Sequence, residues 1–300
     1  MSFTATDLRF LLSAEYLGFS GKKVCTLGRL SLFGTQAAFA KILKEYAKPQ
    51  FLLPSGRDEW FAEDILCPLG FEVDSIDASK YEGATVVHDL NQPLSESMGG
   101  QYDLVFDGGT LEHIFNFPIA MQSVMRMLKV GGHVLMNVPT NNYCGHGFYQ
   151  FSPELFFRLF SPDNGFEVVR VYMQAPGGPY HVIDPAIIRR RVTLVNSEAT
   201  LLLVHAKKIT ETPISNPQQS DYTLAWNRHK KKREIPKGLI ETHARRALLK
   251  LHITQALKKL RKYRSMIGAR GHLRVSQFSN RRFYAPVTDW RVPSKTAFSN

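Results

Sequence analysis

The feature that most limits the fold of this chain is a regular alternation of short β-branched runs with segments of helical spacing. Such alternation is typical of a parallel sheet that is covered by helices on both faces. The predicted strands are 22–27, 72–76, 84–88, 102–107, 132–138, 166–173 and 200–206. The predicted helices are 35–47, 58–67, 117–129 and 153–160. The sequence therefore predicts an α/β domain over residues 1–208.

Acidic residues follow three of the predicted strands, where open sheets of this type bind ligands. Asp77 follows the second strand in SIDAS, Asp89 follows the third in VVHDLNQP, and Asp107 follows the fourth in YDLVFDGG. A carboxylate after the second strand can accept two hydrogen bonds from a ribose diol. One after the third strand can accept a hydrogen bond from an adenine amino group, with Leu90 packed on the ring. Asp77 and Asp89 also have structural alternatives as cap or turn residues.

The loop after the first predicted strand, in the stretch VCTLGRLSLFG, has fewer glycines than a phosphate-binding loop. Gly28 is in place, but Leu30 and Leu32 stand where further glycines would be expected. Asp77 follows Gly28 by 49 positions, where about 20 would be usual. We therefore expect an inserted segment over residues 31–56 that contains its own helix.

The run DLVFDGGTLEHIFNFPIAMQSVMRMLKVGGHVLMNVP resembles the fourth-strand to fifth-strand segment of class I S-adenosylmethionine-dependent methyltransferases. That segment combines an aspartate-ended strand, an LEH turn, a helix and an LK-GG hairpin. With SIDAS and HDLNQPL upstream and GHGFYQFSPELFFRLFSPDNGFEV downstream, the resemblance covers about residues 22–207. More narrowly, the sequence resembles a little-described bacterial group with TLGR in a degenerate first loop. The resemblance implies a Rossmann-like, doubly wound, mostly parallel seven-stranded sheet.

The resemblance also implies a cofactor, S-adenosyl-L-methionine, and a set of residues that bind it. One glycine suffices in the first loop because this cofactor has no phosphate and presents only its methionine end there. Either Arg29 or the nearby helix start is expected to hold the methionine carboxylate by charge. The implied cofactor-binding residues are Gly28, Arg29, Asp77, Asp89, Leu90, Asp107 and Gly108.

The reaction that the resemblance implies is in-line transfer of a methyl group from a sulfonium to an oxygen or nitrogen. If the acceptor is a hydroxyl, a base must take its proton, and His113 and His146 are the candidates that titrate near neutral pH. His113 has a structural alternative, since it can brace the helix that follows. The expected acceptor is a polar small molecule such as a sugar of a surface glycan. The alternative is a non-catalytic binding module that acts through its basic C-terminal segment.

The formal charge of +12 is concentrated near the C-terminus. Residues 228–282 carry a net charge of +16, whereas residues 1–226 carry −5. Residues 209–227 are rich in Pro, Ser, Asn and Gln and are interpreted as a linker. We therefore expect a basic helical extension over residues 228–300, attached to the α/β domain by this linker.

An apolar stripe at helical spacing runs through the predicted extension. Its residues are Leu249, Ile253, Ala256, Leu260, Tyr263 and Ile267. The stripe has to be buried, either within the fold, in a homo-oligomer contact, or on an anionic membrane surface. Nucleic acid is a further candidate partner, but one aromatic ring besides histidines between residues 228 and 277 disfavours it.

The three cysteines, Cys25, Cys67 and Cys144, are far apart in the sequence. They predict reduced thiols, with neither a disulfide framework nor a cysteine metal site, and no metal site is predicted elsewhere. Glu15 interrupts the N-terminal apolar run, which does not fit a signal peptide. No stretch approaches about 18 uninterrupted apolar residues, so no membrane span is predicted. We expect a cytoplasmic protein. Any contact with the inner face of the membrane is expected to occur through residues 228–282.

Overall fold

The computed structural model describes residues 1–51, 53, 59–233 and 277–298. Its strands are β1 (Ser2–Thr4), β2 (Lys23–Leu27), β3 (Ser31–Phe33), β4 (Glu72–Asp77), β5 (Val86–Val87), β6 (Tyr102–Asp107), β7 (Leu128–Asn141), β8 (Phe166–Ala175), β9 (Gly178–Val182), β10 (Thr200–Lys208) and β11 (Tyr284–Pro286). Its helices are α1 (Ala5–Glu15), α2 (Gln36–Glu45), α3 (Glu63–Leu66), α4 (Phe117–Met127), α5 (Pro153–Leu159), α6 (Pro185–Ile188) and α7 (Ser220–Arg233). All seven predicted strands and all four predicted helices are present.

The main sheet has the strand order β11-β9-β8-β10-β7-β6-β2-β4-β5. The five strands β5, β4, β2, β6 and β7 are mutually parallel, and β10 lies antiparallel between β7 and β8. From β2 the chain moves outward to β4 and β5, and then returns to the other side of β2 to form β6 and β7. The strand order therefore reverses between β2 and β6. This arrangement confirms an α/β fold with a mostly parallel central sheet.

The predicted count of seven strands is wrong, because β9 and β11 extend the sheet to nine strands. The prolines and glycines of QAPGGPYHV favour a loop, but the structure forms a hairpin there. Gly177 and Gly178 have φ angles of +102° and +118°. This backbone region is open to glycine and strained for other residues, so the two glycines allow β9 to turn back onto β8.

The predicted separate extension is also wrong in part, because residues 277–298 belong to the α/β domain. β11 pairs with β9, and the Val171 amide donates a hydrogen bond to Ser294 Oγ at 3.0 Å. The buried guanidinium of Arg170 donates to the carbonyls of Phe10 and Trp290. These bonds fasten the end of the described chain to α1. The apolar stripe from Leu249 to Ile267 lies outside the described residues.

Two apolar cores cover the two faces of the sheet. Leu104 and Phe106 of β6 face the core under α1, α2 and α3, whereas Val105 faces the core under α4 and α5. This alternation follows from the two-residue period of a strand. The expected insertion over residues 31–56 contains β3 and α2, so the helix predicted within it is confirmed. α2 buries Phe39 in the core under α1, α2 and α3.

The N-terminal segment, which the sequence analysis did not assign, is fixed to the carboxyl edge of the sheet. Thr4 caps α1 and forms a capping box with Asp7. Asn137, near the end of β7, donates to Asp7 Oδ1 at 2.8 Å. Asp7 is fully buried, and this burial raises its pKa. Thus β1 and α1 are held over the strand ends by a buried polar network.

Two further expectations concern the cysteines and a membrane span. Cys25 is buried, Cys67 and Cys144 are exposed, and all three are free, as predicted. Within the described ranges, no helix combines the length and the apolar character that a membrane span needs.

A pair of buried histidines connects β7 to β10. His133 Nδ1 and His205 Nε2 lie 2.7 Å apart and share a hydrogen bond. Burial lowers the pKa of His133 to about 4 and lowers the pKa of His205 well below its ordinary value. Nearby positive charge, from Lys207 and Arg170, adds to both effects. Both imidazoles are therefore neutral in the folded protein at neutral pH.

We predict that the histidine pair weakens the fold at acidic pH. The unfolded chain takes up these protons near pH 6.5 and the folded chain only near pH 4 or below, so stability is lost as the pH falls through this window. Each histidine contributes up to about 1.4 kcal/mol per pH unit. Urea unfolding at steps from pH 7 to pH 4.5 should give a smaller loss of stability for His205→Gln than for the wild type.

The wild type has to be compared with His205→Gln because other buried groups also make stability depend on pH. Burial raises the pKa of Asp7 and Asp107, so these two carboxyls add stability as the pH falls, whereas the histidines remove it. His88, at the end of β5, is the matched control, since it lies half-buried at the sheet edge. His88→Gln should keep the pH dependence of the wild type. An equal loss of stability in wild type and His205→Gln would contradict the prediction.

Candidate active site

The reversal of strand order places the ends of β2 and β6 side by side, and Gly28 follows β2 at this point. Its φ angle is +73°, and its amide donates to the Ile76 carbonyl of β4 at 2.7 Å. A Cβ atom at this position would lie 2.3 Å from Met1 Sδ and 3.2 Å from Thr110 Oγ1. Glycine is therefore favoured by the backbone conformation, whereas the flexible Met1 side chain could move away from a Cβ atom. Its role in cofactor binding stays a prediction.

Asp77 is the last residue of β4 and lies next to Gly28. Asp77 Oδ1 accepts a hydrogen bond from the Ser79 amide at 3.1 Å, so part of this carboxylate serves a turn. Among the described residues, no donor reaches its other oxygen. The half-exposed carboxylate can therefore still accept hydrogen bonds from a ligand, as predicted for a ribose diol.

Asp89 and Leu90 lie further along the same edge, after β5. Asp89 Oδ1 accepts from both the amide and the side chain of Asn91, each at 2.9 Å, and these bonds lower the pKa of the Asp89 carboxyl. This is the turn geometry that the structural alternative describes. Asp89 is exposed, whereas Leu90 is buried in the core. Contact of either residue with an adenine ring stays a prediction.

Arg29 is occupied by partners within the protein. Its Nε lies 3.2 Å from Glu63 Oε1, its Nη1 donates to the Glu82 carbonyl at 2.5 Å, and its guanidinium covers the Phe61 ring. Arg29 thus ties the loop after β2 to the loop after β4. The expected contact with a methionine carboxylate stays a prediction, and it would have to compete with Glu63.

The N-terminal strand covers the ends of β2 and β6 at the reversal point, the position of the ligand-binding crevice in open sheets of this type. The Ser2 amide donates to the Gly108 carbonyl at 3.3 Å, and a Cβ at Gly108 would lie 2.7 Å from the Ser2 carbonyl oxygen. Thr110 Oγ1 lies 2.8 Å from Met1 Sδ. The sequence analysis missed this cover, although the spacing Thr4-x-x-Asp7 is a helix-start signal that follows it directly.

Two buried carboxyls lie behind the crevice, on Asp107 and Glu112. Asp107 Oδ1 accepts from the Thr110 amide at 2.8 Å. Asp107 Oδ2 and Glu112 Oε2 have no hydrogen-bond partner among the described residues. Burial, and then the negative charge of Glu112, raise the pKa of Asp107 well above its ordinary value. Burial likewise raises the pKa of Glu112.

The structure brings the two predicted catalytic histidines together around Glu112. Glu112 belongs to a short 3₁₀ helix, Leu111–His113, and its Oε1 lies 3.4 Å from His146 Nε2 and 4.0 Å from His113 Nε2. The two imidazole rings have centroids 4.9 Å apart. Burial lowers the pKa of His113, with the charge of His146 as a second cause. A buried carboxylate with two accessible imidazoles can take and hold a proton.

Gly147 explains how His146 reaches this position. The Phe148 amide donates to the Glu112 carbonyl at 2.7 Å, which joins the loop after β7 to the LEH turn. Gly147 has a φ angle of +76°, and a Cβ there would lie 2.8 Å from the same carbonyl oxygen. Only glycine permits this close approach, so the sequence GHG fixes His146 beside Glu112.

Exposed aromatic side chains border the cluster. Phe115 is 74% exposed and Phe148 is 67% exposed, and their ring centroids are 6.0 Å apart. Tyr149 donates from its hydroxyl to the Phe115 carbonyl at 2.6 Å. Two accessible rings beside polar groups are typical of a surface that binds a ligand with apolar and polar sides.

No protein-family model and no curated protein sequence matches the chain. Several solved structures resemble it. One is the 1,6-didemethyltoxoflavin-N1-methyltransferase of Burkholderia thailandensis, with bound 1,6-didemethyltoxoflavin and S-adenosylhomocysteine (13% identity, 69% of this chain, 79% of that chain, TM-score 0.38). A second is the N-methyltransferase NodS of Bradyrhizobium japonicum (12% identity, 69% of this chain, 94% of that chain, TM-score 0.36). A third is the branched-chain polyamine synthase of Thermus thermophilus (16% identity, 72% of this chain, 58% of that chain, TM-score 0.35).

We predict that Asp107→Asn stabilises the protein at alkaline pH. The pKa of Asp107 is raised in the folded state, so ionisation above the ordinary pKa near 4 costs stability that grows as the pH rises toward the folded value. Asparagine keeps the acceptor for the Thr110 amide and has no charge. The melting temperature should therefore rise for Asp107→Asn at pH 8 and change less at pH 5, as measured by thermal unfolding.

The matched control is Asp163→Asn, because Asp163 is exposed in the turn after α5. Its melting temperature should follow that of the wild type at both values of pH. A loss of stability in Asp107→Asn that is equal at pH 8 and pH 5 would contradict the prediction and would assign Asp107 a purely hydrogen-bonding role.

Proposed function

We propose that this protein is an S-adenosylmethionine-dependent methyltransferase that acts on an oxygen or nitrogen of a polar acceptor. The observation that carries the proposal is the contact between the loop at Gly28, which lies at the reversal point, and the end of the neighbouring strand β4 at Asp77. In open α/β sheets this point is the ligand-binding position. The hydrogen bond from the Gly28 amide to Ile76 sets the loop after β2 directly beside the carboxylate that ends β4. A nucleoside with its ribose on Asp77 therefore extends naturally over Gly28.

The loop after β2 favours this cofactor over a dinucleotide. Pyrophosphate requires close approach to the backbone at several glycines. Here Leu30 is fully buried, and Leu32 packs against the core under α1 and α2. These side chains leave the loop with the single glycine at position 28. S-adenosylmethionine has no phosphate, so a loop with one glycine is sufficient for its methionine end.

The position of the Met1 side chain in the crevice also supports this cofactor. The Met1 side chain lies against Gly28, and its Sδ lies 2.8 Å from Thr110 Oγ1. A thioether chain is the same chemical group as the methionine end of the demethylated cofactor, so the space accommodates that group. The Met1 side chain has to move aside when the cofactor binds.

The chemistry needs alignment more than covalent help, because the methyl group leaves an activated sulfonium. For a hydroxyl acceptor, His146 takes the proton, and Glu112 stabilises the imidazolium at 3.4 Å. For an amine acceptor no strong base is required. The exposed rings of Phe115 and Phe148 support an acceptor with apolar faces and polar edges, such as a sugar of a surface glycan.

Calorimetry with S-adenosylhomocysteine tests the cofactor directly. We expect binding by the wild type, and a loss of about 1.5 to 3 kcal/mol for Asp77→Ala, the scale of a lost charge-assisted hydrogen bond. This corresponds to an affinity about 10- to 150-fold weaker. Asp163→Ala, which removes an exposed carboxylate elsewhere, should bind like the wild type. No binding by the wild type at millimolar ligand would reject the proposal in favour of a non-catalytic binding module.

Methyl transfer tests the role of His146. Labelled S-adenosylmethionine, incubated with a polysaccharide acceptor fraction, should give less labelled product with His146→Ala, while the affinity for S-adenosylhomocysteine stays unchanged. His88→Ala is the control, since His88 lies outside the cluster. Equal losses of turnover and affinity in His146→Ala would make His146 a cofactor-binding or structural residue instead of the base.

A further inference from the structure

We propose that Glu112, His113 and His146 bind one divalent transition-metal ion of the zinc type. Each residue offers one ligand atom, and these three atoms all lie within 4.8 Å of one another. The sequence analysis predicted no metal site, because residues 112 and 113 are far from residue 146 in the chain. The loop after β7 brings them together.

The three side chains are the right ligands for such an ion. Two imidazole nitrogens and one carboxylate oxygen are a common set for zinc and related metals, with bonds of about 2.0–2.2 Å. Bonds of this length place neighbouring ligand atoms roughly 3 to 3.6 Å apart. The distance of 3.4 Å between Glu112 Oε1 and His146 Nε2 already fits, whereas the 4.0 Å to His113 Nε2 and the widest separation of the ligand atoms, within 4.8 Å, have to close as the imidazoles rotate.

One side of the proposed site is rigid and the other can adjust. Glu112 is 1% exposed, and its Oε2 has no hydrogen-bond partner among the described residues. A buried carboxylate oxygen without a partner is costly, and a bound cation would offset that cost. The side chains of His113 and His146 are 46% and 54% exposed. They can therefore rotate toward the ion without repacking the core.

Three protein ligands leave at least one coordination position open, which is typical of catalytic metal sites. Because the side chains of both histidine ligands are accessible to solvent, a ligand from solution can reach the open position. If the proposed methyltransferase function holds, the acceptor hydroxyl is the group that coordinates there. The ion would then lower the pKa of that hydroxyl, His146 would serve as a ligand in place of its role as base, and the proton would pass to solvent water. Binding of the ion itself does not depend on this role.

Cobalt is the probe for the site, because Co²⁺ bound by imidazole gives visible absorption. The full chain is treated with a chelator, dialysed and titrated with Co²⁺, and Zn²⁺ is then added as competitor. We expect one equivalent of Co²⁺ to give the absorption and Zn²⁺ to remove it. His146→Ala and Glu112→Gln should each weaken Co²⁺ binding about tenfold or more.

Two controls separate this site from others. His88→Ala and Cys144→Ser should bind Co²⁺ like the wild type, since His88 lies after β5 and Cys144 is outside the three ligands. His146→Ala should also keep the metal-free melting temperature, because its side chain is exposed, and should lose the rise in melting temperature that Zn²⁺ gives the wild type. Loss of binding in Cys144→Ser would overturn the proposed ligand set.

Absence of the Co²⁺ absorption in the wild type, or equal binding by the wild type and His146→Ala, would overturn the proposal. Calorimetry with S-adenosylhomocysteine in the presence of a chelator is measured separately. Cofactor binding without Co²⁺ binding would reject the metal site alone. Co²⁺ binding without cofactor binding would reject the proposed function and keep the site.

Discussion

The reversal of strand order between β2 and β6 determines where this molecule can bind a ligand. On one side of it the chain proceeds to β4 and β5, and on the other to β6 and β7. The connections therefore leave the two central strands in opposite directions, and a crevice remains at their carboxyl ends. Gly28 and Gly108 line this crevice, and the first two residues of the chain cover it. Gly28, Asp107 and Gly108 take their positions from this feature of the topology, and Asp77 ends the neighbouring strand β4.

Much of the fold could be predicted because the strands and helices of the parallel core are encoded locally, by β-branched runs and by helix-start residues. The strands β9 and β11 could not be predicted in this way. β11 has three residues, and it pairs with β9 about a hundred positions earlier in the chain. Its stability comes from buried Phe278, Phe283 and Tyr284, which no local pattern assigns to the sheet. Likewise, the prolines and glycines of the β8–β9 hairpin favour a loop, so β9 could not be predicted as a strand.

The site shows the same division between local and non-local information. The carboxylates of Asp77 and Asp107 could be placed from their positions at strand ends, and Asp89 forms the turn that its neighbours predict. The meeting of His113 and His146 could not be deduced from their spacing. It depends on the hydrogen bond from the Phe148 amide to Glu112 and on the left-handed backbone of Gly147. Both are tertiary features of a loop.

The buried carboxyl groups of Asp107 and Glu112 have different neighbours, and these neighbours suit them to different roles. Asp107 receives hydrogen bonds from the backbone amides of the turn that follows it, so its burial organises the LEH turn. Glu112 is placed by that turn, and its carboxylate faces two solvent-accessible imidazoles. A buried carboxylate beside accessible imidazoles is chemically suited to exchange a proton or to bind a cation. Asp107 thus organises the turn, and the turn sets the position of the Glu112 carboxylate.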